Sequence, residues 1–155
     1  MKKSLKPLAS KDKKQLLALI KAQWNADFKP EFVFFRNEKQ KIYVIHKDIA
    51  KIDLSGARIN TVGMYFGEYK KGELRLSIEG SQLIGPLAKK NVVELDDKEA
   101  IAWLRGNDLN KEGDWSGFVI VKHNDDYLGS GKYTADKRLL NFVPKARRLI
   151  SGELP

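Results

Sequence analysis

The residues richest in chemistry lie near the C-terminal end of this 155-residue chain. Lys132, Lys137, Arg138, Lys145, Arg147 and Arg148 fall within 17 residues, just after Gly129-Ser130-Gly131. Planar arginine forks grip a phosphate in a bidentate way, and glycines let backbone N–H groups come close to one. The spacing reads as a glycine turn beside a face for a polyanion. It does not make a nucleotide-triphosphate loop. That loop needs a glycine five positions before the Gly of Gly-Lys and a Ser or Thr after the Lys, and Asp126 and Tyr133 stand there.

Other chemistry is excluded residue by residue. The chain has no cysteine, which removes thiol nucleophiles, disulfides, Cys-ligated zinc and iron–sulfur clusters. His46 and His123 have no carboxylates at metal-ligand spacing on a shared helix, and read as exposed or strand-end histidines. Ser55, Ser77, Ser116 and Ser130 lack a nucleophile-elbow context. Asp96-Asp97 sits at a helix start and Asp125-Asp126 in a turn, where capping and turn formation explain them. The expectation is a non-catalytic protein with no metal and no cofactor.

Charge points to a partner class. The formal net charge is +9, with 19 basic and 9 acidic residues in 1–90, 4 and 9 in 91–128, and 6 and 2 in 129–155. Basic clusters of this kind suit RNA or DNA, because neutralised phosphates release counterions. Lysine-rich surfaces also occur on soluble proteins with no anionic partner, so charge alone leaves both readings open. No apolar stretch reaches the roughly 18 residues of a spanning helix, and the basic start is not followed by a secretion-signal core. The expected setting is cytoplasmic, without a membrane partner.

Local patterns predict the elements that position these residues. Helical spacing of Leu16, Leu17, Ile20 and Trp24 predicts a helix over Lys11–Asn25 with Ser10 as N-cap, its outer face carrying Lys13, Lys14 and Lys21. Phe32–Phe35 and Ile42–Ile45 read as a hairpin, Lys47–Ile52 as a short helix and Ile59–Phe66 as a strand broken by Gly63. Glu73–Ile78 alternates as a half-buried strand, and Leu83, Ile84, Leu87 and Ala88 share a helical face bent at Gly85-Pro86. Past residue 90 the pattern changes. Val92-Val93 reads as a strand, and Asp96 with Glu99 forms a capping box opening a helix that Gly106 ends, with Ile101 and Leu104 facing the core. Phe118–Val121, Tyr127–Tyr133 and Leu139–Val143 follow as short strands at small-barrel spacing. Phe32, Phe34, Phe35, Tyr43, Tyr65 and Phe66 read mainly as core, with base stacking beside lysines as the alternative, and one of Trp103 and Trp115 reads as partly exposed.

Two segments carry a family resemblance. Leu128-Gly129-Ser130-Gly131-Lys132, followed by Leu140-Asn141-Phe142-Val143-Pro144-Lys145-Ala146-Arg147-Arg148, resembles the end of the PUA-type RNA-binding tail of RsmF-type ribosomal RNA cytosine-5 methyltransferases. The helix ending Ala100-Ile101-Ala102-Trp103-Leu104-Arg105-Gly106 is similar to the one that opens that domain, and Val62–Gly72 resembles the small domain before PUA, a pairing also found in Nip-type ribosome-assembly factors. The resemblance implies an α+β fold, with a small mixed α/β pre-PUA-like domain over 1–90 and a PUA-like β pseudo-barrel over 91–155. It implies RNA contacts from Arg105, Lys132, Lys137, Arg138, Asn141, Lys145, Arg147 and Arg148. Leu140 departs from the family, which usually has a lysine there, and Arg138 is placed to substitute. The family's methyltransferase domain attacks cytosine with a cysteine, which this chain lacks. The implied function is a non-catalytic RNA-binding protein acting on rRNA or tRNA, in RNA modification or ribosome biogenesis, with an RNA methyltransferase or pre-ribosomal protein as possible partner. The alternative is a protein-interaction adaptor in pre-ribosome assembly that docks through the acidic segment 91–128.

Overall fold

Two five-stranded sheets with helices packed on them form the mixed α/β fold of the computed structural model, which describes residues 5–29, 31–50 and 63–150. The first sheet is an antiparallel meander of β1 (Lys6–Pro7), β2 (Phe32–Arg36), β3 (Lys41–His46), β4 (Met64–Lys70) and β5 (Glu73–Leu76), in that spatial order. Helix α1 (Ser10–Trp24) buries Leu16, Ile20 and Trp24 against this sheet and leaves Lys11, Lys14 and Lys21 in solvent. Ser10 is not the N-cap. Ala9 holds that position without a side-chain bond, and Ser10 is the first helical residue, with Asp12 in the positive first turn. Asn25 ends the helix in the left-handed region, at φ 50°. Helix α2 spans Lys47–Ala50, and the expected elements over 51–52 and 59–62 lie outside the described residues.

As the edge of its sheet, β5 has outward backbone groups that need partners. Gln23 on α1 supplies them, its Nε2 donating to the Leu74 carbonyl at 2.9 Å and its Oε1 accepting from the Leu74 N–H at 2.7 Å. The alternation predicted through Ile78 stops at Leu76. Ser77 turns the chain, its Oγ accepting from the Gly80 N–H at 2.9 Å and donating to the Tyr65 carbonyl at 2.6 Å, so Ile78 opens helix α3 (Ile78–Ile84). Gly85–Leu87 continues as one 3-10 turn, which is the bend expected at Gly85-Pro86.

The second sheet is a curled PUA-like half-barrel built from β6 (Val92–Glu94), β7 (Leu109–Asn110), β8 (Gly117–His123), β9 (Asp126–Tyr133) and β10 (Arg138–Asn141), in spatial order β6-β8-β9-β10-β7. β6 runs parallel to β8, and the other pairs are antiparallel. Helix α4 (Asp97–Leu104) has both halves of the predicted capping box: Asp96 Oδ1 accepts from the Glu99 N–H at 2.8 Å, and the Asp96 N–H donates to Glu99 Oε1 at 3.0 Å. Its buried face is Ala100 and Trp103 rather than Ile101 and Leu104, which are only half-buried. The large indole of Trp103 sets the rotation, since burying it gains more than burying either aliphatic chain.

One strand serves two cores. Phe118 and Ile120 of β8 join the core beneath α1 and the first sheet, while Val119 and Val121 face the second core around Trp103, Leu139 and Val143. A strand covered on both faces reads as a continuous apolar run, which is how Phe118–Val121 appears.

Candidate functional site

The edge formed by the end of α4 and the C-terminal tail is built around Asn141. Its Nδ2 donates to the carbonyls of Trp103 at 2.8 Å and Asn107 at 3.0 Å, and its Oδ1 accepts from the Val143 N–H at 2.8 Å. These bonds occupy carbonyls that a helix end leaves open and hold the tail against it. Asp108 adds a clamp, accepting from the Asn141 N–H at 2.8 Å and lying 3.3 Å from Arg138 Nη2. Arg148 Nε donates to the Val143 carbonyl at 3.0 Å, and its side chain crosses Gly106. Gly106 is required twice over: its φ is +93°, and a Cβ there would lie 2.4 Å from Arg148 Nε.

This framework gathers Arg105, Arg138 and Arg148 around the Gly106–Asp108 loop, with Lys145 and Arg147 on the adjoining 3-10 turn Lys145–Arg147. Arg105 and Lys145 are exposed and have no side-chain partner among the described residues. Arg105 also suits the negative end of α4, which is its structural role. The remaining cations are held elsewhere. Arg147 Nη1 lies 2.6 Å from Glu79 Oε2 on α3. Lys132 Nζ sits 3.7 Å from Glu73 and 5.0 Å from the centre of the Phe118 ring, facing the first sheet. Lys137, at the turn between β9 and β10, is 3.5 Å from Glu112. Half-exposed pairs of this kind contribute about 0–1 kcal/mol, so a phosphate can displace the carboxylate.

The glycine turn expected to approach phosphate is strand instead. Gly129, at φ +101°, makes a bulge in β9 opposite Val121, and its N–H donates to Ser81 Oγ at 3.0 Å. A Cβ at Gly129 would lie 3.1 Å from Ile78 Cγ1, and one at Gly131 would lie 2.8 Å from Trp103 Cη2. These glycines let α3 pack on one face of β9 and Trp103 on the other. Their amides are not open to an anion.

Sequence reasoning missed a cavity of about 310 Å³ where the two sheets meet. Tyr65, Arg75, Ser130, Phe142 and Arg147 are among its lining residues. Arg75 is bonded to the buried Glu68 and lies over the Phe142 ring, 4.8 Å from its centre. Burial, and then the Glu68 charge, push the Tyr65 phenol above its ordinary pKa, so its O–H stays neutral. The residues come from four separate segments, and no local pattern joins them.

The histidines are accounted for without chemistry: His123 Nε2 lies 2.8 Å from Asp97 Oδ1, and His46 lies beside Glu31 and Asp48. Among the described residues no three metal-ligating side chains converge, and no helix is long and apolar enough to cross a membrane.

Comparison with known proteins adds the relationship. Residues 90–149 match the family model for the methyltransferase RsmF PUA domain. The chain is 28% identical over 140 residues to ribosomal RNA small subunit methyltransferase F of Aeromonas salmonicida (strain A449), a match covering 90% of this chain and 28% of the relative. The protein of the same name from Vibrio cholerae serotype O1 (strain M66-2) is 28% identical over 93 residues, covering 59% of this chain and 20% of its own length. The chain thus spans about a quarter of the length of the curated relatives it matches. The capped helix, the curled sheet and the basic tail all lie within the segment, residues 90–149, that is similar to the RsmF-type PUA domain.

Proposed function

We propose that this chain is an RNA-binding module that takes rRNA or tRNA on the edge formed by the end of α4 and the tail, in RNA modification or ribosome biogenesis in the cytoplasm, and does no bond chemistry itself. One observation carries the reading: Arg105 and Lys145, exposed and unpartnered among the described residues, project from a framework locked by Asn141, within a segment matching an RsmF-type PUA domain. Arg138, Arg147 and Arg148 flank them and add contacts as phosphates replace their weak partners. Because the backbone is set in advance, little ordering is needed on binding.

Fluorescence anisotropy with single-stranded and looped RNA at several salt concentrations tests this. With about four phosphates contacted, log K falls against log salt with a slope of about −3, at roughly −0.7 per phosphate. Absence of binding at low salt, or binding indifferent to salt, removes the proposal.

A second reading, a docking adaptor in pre-ribosome assembly, has its own support. Glu94, Asp96, Asp97, Asp125 and Asp126 are exposed, and the His123–Asp97 contact ties the β8–β9 hairpin to the start of α4. This acidic end lies at the other end of α4 from Arg105, about 12 Å away for eight residues at ~1.5 Å each. A basic protein partner recovered by the full chain and lost on replacing Asp97 and Asp126 with lysine supports this second reading.

A further inference from the structure

We propose that the cavity between the two sheets binds one unstacked RNA nucleotide, with its base beside the Tyr65 ring and the Arg75 guanidinium that lies over Phe142, and its phosphate toward Arg147. The inference rests on the RNA-binding reading above and extends it from the surface to an enclosed site.

Size is the first argument. About 310 Å³ is at the lower end of the ~300–1,000 Å³ range of small-ligand sites, which suits a single nucleoside and excludes a duplex edge. The lining is the second. It joins aromatic rings from β4 and the tail to two arginines, the combination that holds a splayed-out base in single-stranded RNA recognition. Arg75 already covers the Phe142 ring and is neutralised by Glu68, so it shapes the wall. Arg147 is the cation open to exchange: its partner Glu79 is a partly exposed carboxylate that a phosphate can replace.

Ser130 supplies an independent observation. It is 3% exposed, lines the cavity, and its Oγ has no hydrogen-bond partner among the described residues. Folded proteins rarely leave a buried hydroxyl unsatisfied, because the loss costs about as much as the bond is worth. The polar edge of a base can both donate to and accept from this hydroxyl. The cavity also adjoins the proposed surface directly, since Pro144 and Arg147 belong to both the cavity wall and the turn that presents Lys145. An RNA strand crossing that turn has one nucleotide within reach of the opening.

The test uses the full chain, 15N-labelled, titrated separately with AMP, GMP, CMP, UMP, ribose 5-phosphate and inorganic phosphate. Saturable amide shifts at Gly129, Ser130 and Val143 are expected with at least one nucleoside monophosphate and absent with the two base-free compounds. In parallel, Ser130→Ala is expected to weaken single-stranded RNA binding about fivefold while its melting temperature is unchanged or raised, because an orphan hydroxyl has been removed. Tyr65→Leu, which keeps an apolar wall but loses the ring, is expected to weaken binding about fivefold or more. Equal shifts with inorganic phosphate would overturn the proposal in favour of a simple anion site. RNA binding at full strength in both variants, with no nucleotide shifts, overturns it and leaves the surface reading intact. Nucleotide shifts in a protein that binds no RNA at low salt overturn both the surface reading and the RNA proposal, and leave a site for free nucleotides.

Discussion

Replacing Asn141 with alanine distinguishes a residue that shapes the interface from one that touches RNA. The family resemblance places Asn141 among the RNA contacts, whereas its amide is bonded to the Trp103 and Asn107 carbonyls and to the Val143 N–H. The bonds to Trp103 and Val143 are partly buried, and each orphaned backbone group then costs ~1 kcal/mol or somewhat more. The Asn107 carbonyl is exposed, and water recovers most of its loss. The sum is about 2–3 kcal/mol, which lowers the melting temperature by roughly 4–12 °C at ~2–4 °C per kcal/mol for a chain of this size. Thermal melting followed by far-ultraviolet circular dichroism measures the loss. RNA affinity, read by anisotropy well below the transition, is expected to fall less than about threefold. An unchanged melt combined with a loss of affinity greater than tenfold would refute the reasoning and return Asn141 to the RNA-contacting set.

Other outcomes follow from the same geometry. Arg105→Ala with Lys145→Ala is expected to weaken RNA binding more than Lys11→Ala with Lys14→Ala, at equal charge removed and measured by anisotropy, because the first pair stands on a locked framework; equal losses would indicate a diffuse charged surface. Gly129→Ala forces an alanine to φ +101° and pushes its Cβ to 3.1 Å from Ile78, so the denaturation midpoint is expected to fall by more than ~1 kcal/mol in equivalent stability. Asp96→Ala removes the cap of α4 and is expected to cost about 1 kcal/mol in the same assay. The Asp136 carboxyl is held below the ordinary 3.8 chiefly by the Thr134 hydroxyl. Its lowered folded pKa adds stability above the unfolded value that is lost as pH falls through the folded one, and Thr134→Val is expected to move the Asp136 midpoint upward in an NMR titration.

Much of the local structure could be read from neighbouring residues. The box at Asp96 and Glu99 closes across three positions, so short-range chemistry alone starts α4 there. The hairpin Phe32–Arg36 with Lys41–His46 followed from two apolar runs flanking a polar turn. Errors came where a nearby alternative competed. Ser77 continues the strand pattern by spacing, yet its hydroxyl caps α3, and that bond ends the strand at Leu76. The rotation of α4 escaped prediction because Trp103 and its neighbours are all apolar enough to face inward, and the space beside Gly131 chose the indole.

The site divides along the same line. Composition and order along the chain determined that cations crowd the C-terminal segment, that these 155 residues hold no cysteine, and that the part from residue 91 onward resembles a PUA tail. Which cations are available was decided only by folding. Arg147 meets Glu79 across 68 positions, and the Gly129 N–H meets Ser81 across 48, so an apparent phosphate turn became a packing strand, and of the six clustered cations Lys145 alone has no partner for its side chain among the described residues. Charge is a property of each residue and survives in any conformation, whereas pairing, enclosure and an orphaned hydroxyl such as Ser130 exist only after distant segments have been brought within a few ångströms.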